Sequence, residues 1–437
     1  MPSVLSWLPV ARNTVALLAS RALAVAGQVL ATALLTRLLG ASSFGEYAVA
    51  LSYALAIGLA VDGGAQLVAI RYGARHGTAA ATLIGASLAG RLALGGCGWM
   101  VAVIAALAWS PGPTVPLAVM VSGGLLVAGS WVSALTAPLY ARTAAHRAAV
   151  LEALPWLFQP GLLLAFWAGG LFPWSGPGGV VAAVGLLALA YLLAGVAGVA
   201  LVGWRAGERV ARTWDPSLSR HLLVAALPVM AMTLLSQVHL RGAAVVLGAL
   251  QPGIPAAEYA LALRLFEGVM LVPPAVMASF YPLLSAAPGG VAPGAIVWRA
   301  TALCMAAAGL LAGAGWFVAP QIALALGGAE LLSAAPALRL LLIASVAGAA
   351  NSPLAYLLLA RGHERAILRV QVGVVAANLG LNLALIPHFG SVGAAAVLVA
   401  TELAGLGIAV VLAQRLVGLA WPWSGRSHGW RRPGGRL

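Results

Sequence analysis

The chain contains no lysine at all: each of its 24 basic residues is an arginine. That excludes a Walker-A phosphate loop, whose lysine reaches the phosphates, and any Schiff-base lysine chemistry. Charge is scarce as well. Only 8% of the 437 residues are charged and 62% are hydrophobic, against roughly 25% charged in an ordinary soluble domain. Such a chain cannot cover a globule with polar groups. Cysteine is nearly absent: Cys97 and Cys304 both lie inside apolar runs, so neither a disulfide framework nor a zinc spacing exists. The start of the chain, MPSVLSWLPVARNTVALLASRALAVAG, lacks a charged segment followed by a short apolar stretch and a cleavage site, and reads as a retained first helix.

Long apolar runs are plentiful, which predicts an all-α polytopic membrane protein. Twelve spans are expected, near 14–38, 44–68, 86–109, 115–139, 147–170, 179–203, 220–248, 257–285, 296–318, 332–359, 366–387 and 391–415. Clusters of Pro, Gly and Arg separate them, for example SPGPTVP and FPWSGPGG. The longest polar loop, 204–220, is too short for a soluble domain. A basic patch for nucleic acid is the other reading of the net charge of +14. The arrangement of the arginines favours the membrane, with no nucleic-acid partner.

Arg12, Arg71, Arg75, Arg142, Arg147, Arg205, Arg209, Arg212, Arg220, Arg299, Arg361, Arg365, Arg369 and Arg415 fall at one set of span ends, joined by Arg426, Arg431, Arg432 and Arg436. The opposite loops carry almost none. This alternation needs an even number of spans and places both termini in the cytoplasm. Trp109, Trp174, Trp204, Trp298 and Trp316 lie near span ends, as an interfacial belt would.

The sequence repeats itself. LGASSFGEYAVAL (39–51) matches LGALQPGIPAAEYALAL (247–263), ARTAAHRAAVL (141–151) matches ARGHERAIL (360–368), and 91–109 matches 299–316. Three pairs in order predict a duplication of six spans, a parallel repeat with a central cavity between two halves. The expected organisation is a six-helix bundle over 1–205, a cytoplasmic linker over 206–219, a second six-helix bundle over 220–418 and a basic cytoplasmic tail over 419–437.

Polar residues inside spans are costly, at least ~2.5 kcal/mol for a lipid-facing charge, and therefore mark candidate sites. Arg21 follows Arg12 by about 13 Å of helix. Arg241 and Arg264 sit on spans 7 and 8, and Arg339 on span 10. Snorkelling to the interface or a structural ion pair is the competing explanation for each. Arg264 and Glu267 have the i, i+3 spacing of a pair. Arg37, beside the first repeated turn, is a loop arginine on the arginine-poor side. It reads either as a head-group contact at the outer mouth or as an interfacial anchor. Arg91 reads as a marker of the arginine-rich interface, and Asp62 as part of a DGG turn. Glu152, Glu267, Glu402 and His239 are candidates for binding a coupling ion. Gln28, Gln66, Gln237, Asn351, Asn378 and Asn382 could line a cavity or bond between helices.

TRLLGASSFGEYAVALS, VDGGAQLVAIRYG and NLGLNLALIPHFGSVGAAAVLVATEL together resemble the bacterial polysaccharide-biosynthesis exporters. These are the O-antigen flippase type within the multidrug/oligosaccharidyl-lipid/polysaccharide (MOP) exporter superfamily. The resemblance covers nearly the whole chain and implies a MOP/MATE-like fold of two six-helix halves. It implies export of an undecaprenyl-diphosphate-linked oligosaccharide across the bacterial cytoplasmic (inner) membrane, not an enzymatic reaction. No cofactor is expected, and the driving force stays open between a proton gradient, a sodium gradient, with H+ or Na+ as coupling ion, and the substrate gradient alone. A polysaccharide polymerase and glycosyltransferases are the implied partners. A cationic cavity fits this resemblance, with Arg21, Arg241, Arg264, Arg339 and Arg37 as its candidates. The alternatives are a cation-coupled multidrug exporter, which the arginine and missing acid of span 1 disfavour, and a lipid II flippase, a branch that usually has fourteen spans. A membrane-embedded glycan polymerase would need a long loop or a catalytic cluster, and neither is found.

Overall fold

In a computed structural model, residues 8–77, 80–141, 144–171, 173–206, 215–286 and 293–419 are described, and they are built from helices. Within hydrocarbon, every backbone N–H and C=O must be satisfied inside its own segment, so apolar runs of this length fold as helices. In chain order they are α1 (Leu8–Leu39), α2 (Ala41–His76), α3 (Ala80–Trp109), α4 (Thr114–Ala141), α5 (Ala145–Ala168), α6 (Pro177–Ala206), α7 (Pro216–Leu250), α8 (Ile254–Val269), α9 (Val272–Ala286), α10 (Pro293–Phe317), α11 (Ala319–Gly327), α12 (Ala335–Ala360) and α13 (Glu364–Val417). A 3-10 turn, Ala329–Ala334, joins α11 to α12. Eleven segments among the described residues are long and apolar enough to cross a membrane.

The difference from twelve has a local cause. α13 is 54 residues long, about 80 Å if straight, but Gly390 interrupts it with φ 56° and ψ −134°. A side chain from beyond the break returns to one before it: Asn378 Nδ2 donates to Thr401 Oγ1 at 3.2 Å. The helix is therefore a hairpin of two antiparallel arms, 364–389 and 391–417, which supply the two expected last spans. Expected span 8 is instead split, because Pro273 and Pro274 open α9 two residues after α8 ends. The Asp-Gly-Gly sequence at 62–64 is no turn; it lies within continuous α2.

The repeated turns meet face to face. Gly40 (φ 78°) precedes α2 and Gly253 (φ 87°) precedes α8, each in a backbone region suited to glycine. A Cβ on Gly45 would lie 2.1 Å from the Gly253 carbonyl oxygen, and one on Gly253 would lie 2.8 Å from Ser42 Oγ. From there α2 and α7 run antiparallel in close contact. Val49 packs on Gly248, Gly64 faces the Met230 backbone nitrogen and the Ala226 carbonyl, and the Tyr72 ring lies tilted against that of His221, centroids 5.9 Å apart. This seam joins the six helices before the 207–214 segment to the helices after it. The boundaries expected for the linker and the tail fall largely at 207–214 and 420–437, outside the described residues, as do Arg142, Arg209, Arg212 and the four arginines from Arg426 onward.

One end of the bundle gathers the arginine-poor connections. There Glu330 accepts from the backbone N–H of Ala41, Gln251 donates to the Pro387 carbonyl, and Ser391 donates to Glu258. Arg71, Arg75, Arg220, Arg361, Arg365, Arg369 and Arg415 lie at helix ends of the opposite face and are exposed.

Candidate functional site

Two of the expected arginines meet on one carboxylate where the halves join, and a third, Arg21, lies within electrostatic reach of Glu152 in the N-terminal half. On the C-terminal side Glu267 bridges two guanidinium groups. Its Oε1 accepts from Arg241 Nη2 at 2.5 Å and its Oε2 accepts from Arg264 Nη1 at 3.1 Å. Arg241 Nε also donates to Gln237 Oε1 at 3.1 Å. The Arg241 side chain is 8% exposed, whereas Arg264 and Glu267 keep 19% and 22%. The cluster thus has a buried anchor and an open rim. Its formal charge is +1, two guanidinium groups against one carboxylate, and Arg264 is the cation on the open side.

Facing it from the N-terminal half are Tyr47 and Tyr191, both within electrostatic reach of Arg264. Gln159 Nε2 donates to the Tyr47 hydroxyl at 3.2 Å, tying α5 to α2. Glu152 is the hub on this side. It accepts from Gln66 Nε2 at 3.2 Å and from the Tyr140 hydroxyl at 3.0 Å, and the exposed Arg21 acts electrostatically on both Glu152 and Tyr140. Gln66 also reaches Thr136 at 3.0 Å. The polar groups of the two halves therefore look at each other across α2, whose length the sequence signals but whose facing residues, Tyr47 above all, it does not.

The remaining candidates lie apart. His239 Nε2 is 3.2 Å from Glu402 Oε1, a pair joining α7 to the second arm of α13, and His239 Nδ1 is buried with no partner among the described residues. Arg37 donates from Nη2 to the Ala325 carbonyl at 2.8 Å, bracing α1 against α11. Arg339 donates from Nε to the Trp316 carbonyl at 3.3 Å and stacks over the Trp316 ring at 5.6 Å. These last two contacts are those of anchors at the arginine-poor end and do not join the central cluster.

One buried ion pair overturns its sequence reading. Arg91 is no interfacial marker: it is 1% exposed, and its Nη1 donates to Asp62 Oδ1 at 3.1 Å. Asp62 and Arg91 sit on different helices, so neither spacing nor repeat could have joined them. Among the described residues no group of three or more His, Cys, Asp or Glu side chains is arranged to hold a metal ion.

No protein-family model and no curated protein matches the chain. Solved structures do match it. An inward-facing multidrug resistance MATE family transporter of the MOP superfamily is similar with TM-score 0.68 and 18% identity, over 90% of this chain and 95% of that one. The outward-facing conformation of a transporter of the same description gives 0.64 and 18%, over 94% and 96%. The lipid II flippase MurJ, inward closed, gives 0.73 at 12% identity, over 92% and 87%. The chain therefore has the fold of the MOP-superfamily transporters, a polytopic helical membrane architecture. Below that level identity is too low to assign a branch.

Proposed function

We propose that the protein is a transporter that moves an undecaprenyl-diphosphate-linked oligosaccharide across the bacterial cytoplasmic membrane by alternating access between its halves. The observation that carries this reading is the Arg264–Glu267–Arg241 cluster, a net cation at the junction of the halves with the more exposed arginine, Arg264, on the open side. A diphosphate in hydrocarbon faces a desolvation cost on the order of 20 kcal/mol per charge. Arginines fixed along the route offset it, since a guanidinium matches phosphate oxygens in a fork. Arg21, beside Glu152 in the other half, supplies a second cation. Gln66, half-buried beside Glu152, supplies an amide group suited to sugars. The lipid chain stays in the bilayer.

The arginine-rich face is the cytoplasmic one in this reading, following the bias of positive loops. The His239–Glu402 pair takes a proton or sodium ion as the coupling step, since its occupancy would bias the contact between α7 and α13. The MATE likeness favours a second reading, export of multidrug substrates. The chemistry of the first helix opposes it, because α1 presents Arg21 and no acid to a cationic drug. A lipid II substrate carries the same diphosphate, so the cluster suits it equally.

In cells lacking their own flippase, expression restores surface glycan, and Arg21→Ala combined with Arg264→Ala abolishes it at unchanged protein level. Normal export by that double variant would remove the cationic route from consideration.

A further inference from the structure

A groove between α3 and α4 lies away from the central cluster. Its volume is about 410 Å³, within the ~300–1,000 Å³ of ordinary ligand sites. It opens on the apolar outer surface through Leu92, Gly96, Met120 and Val127, all exposed. It extends along α3 from residue 91 to 99, about 12 Å. Gly95 is buried in its wall, and a Cβ placed there or on Gly96 would have no atom within 4 Å. Trp99 bounds the opposite end, held by its Nε1 donating to the Val119 carbonyl at 2.9 Å.

Arg91 forms the polar end. Only its Nη1 is engaged, by Asp62; its Nε and Nη2 are buried with no partner among the described residues. Those two donors form the side edge of the guanidinium, the fork that takes two oxygens of a phosphate. Leaving buried donors unpaired costs about 1–3 kcal/mol, and the groove leads to them. Asp62 fixes the orientation of the fork and neutralises it. α3, at 30 residues or about 45 Å, overspans the ~30 Å hydrocarbon core. Arg91, about 16 Å from its arginine-rich end, therefore lies well inside the core, below the level of phospholipid head groups.

We propose that this groove is a lateral binding site for a polyprenyl phosphate: the isoprenoid chain lies along the glycine-walled channel and a phosphate oxygen pair accepts from Arg91 Nε and Nη2. It rests on the transport reading above, and it would hold the lipid carrier beside α2 before or after the head group meets Arg264.

The test uses the full-length protein in phosphatidylcholine nanodiscs with a photoreactive undecaprenyl phosphate, and reads labelling of α3 and α4 peptides by mass spectrometry. Labelling is expected there, lowered roughly tenfold or more by Gly95→Leu, whose side chain enters the channel where a Cβ meets no atom within 4 Å. Arg91→Lys, which keeps the charge and loses the fork, should lower it similarly, and undecaprenol, which lacks the phosphate, should label as weakly. A tenfold excess of phosphatidylglycerol should leave it unchanged. Equal labelling of Gly95→Leu, equal labelling by undecaprenol, or displacement by phosphatidylglycerol would each overturn the site. Arg264→Gln separates the two readings: it should stop glycan export while α3–α4 labelling persists. Export that needs Arg264 without any α3–α4 labelling would sink the groove alone, and labelling by a wild-type chain that cannot export would sink the transport reading alone.

Discussion

Glu267 and Arg264 touch each other, yet removing them should have opposite signatures. Glu267 is the single counter-charge for two guanidinium groups, bound at 2.5 and 3.1 Å. Glu267→Gln leaves two cations about 5 Å apart, which repel by about 3 kcal/mol at an effective dielectric of 20. Breaking a buried pair from one side costs about 3–5 kcal/mol, and Arg241, 8% exposed, has no other acid in salt-bridge contact among the described residues. The variant should be destabilised by about 3–5 kcal/mol. Arg264→Gln leaves the Arg241–Glu267 pair intact and neutral. The lost contact is 3.1 Å long between side chains 19% and 22% exposed, which is worth about 1 kcal/mol. Its cost should instead be functional, because the net cation facing the route is gone. Heating the purified variants and following the surviving folded fraction by size-exclusion chromatography measures the first effect. Surface glycan at matched protein level measures the second. An Arg264→Gln protein that exports normally, or that unfolds as readily as Glu267→Gln, would refute the assignment of structure to Glu267 and of transport to Arg264.

Other perturbations test the frame and the periphery. Gly390→Ala places a side chain at φ 56°, with its Cβ 2.8 Å from Gln251 Oε1; a loss of about 1–3 kcal/mol is expected in the same heating assay. Gly45→Leu should be worse and should lower the yield of folded protein, since it forces apart the two repeated turns. Arg339→Ala should leave glycan export near wild type, because its partners are the carbonyl and ring of Trp316; a complete loss would bring Arg339 back to the transport route. Asp215 accepts from the Ser217 hydroxyl and from the Ser217 and Leu218 backbone N–H groups, which holds its pKa below the usual 3.8. A depressed folded-state pKa means that this cap's contribution is present above 3.8 and is lost as pH falls through the lower folded value. Asp215→Ala should therefore loosen the start of α7 at neutral pH, read as faster amide exchange at Leu218, and the difference from wild type should shrink in strong acid.

The sequence alone determined that the chain lives in a membrane. With 8% charge and runs of twenty apolar residues, no other solvent is open to it, and in hydrocarbon only helices satisfy the backbone. The approximate number of spans was legible too, because every second connection returns the arginines to the same end of the bundle. The Arg264–Glu267 contact was legible from its i, i+3 spacing. What separated helices bring together was not. Arg241 meeting the same carboxylate, Gln159 reaching Tyr47, His239 meeting Glu402 and Asp62 holding Arg91 join residues 26 to 163 positions apart. No periodicity encodes such distances. Whether an arginine within a span is an anchor or a site depends on which neighbour takes its hydrogen bonds, and packing makes that choice: Trp316 for Arg339, the Ala325 carbonyl for Arg37, and for Arg264 a shared carboxylate that leaves the cluster with a net positive charge.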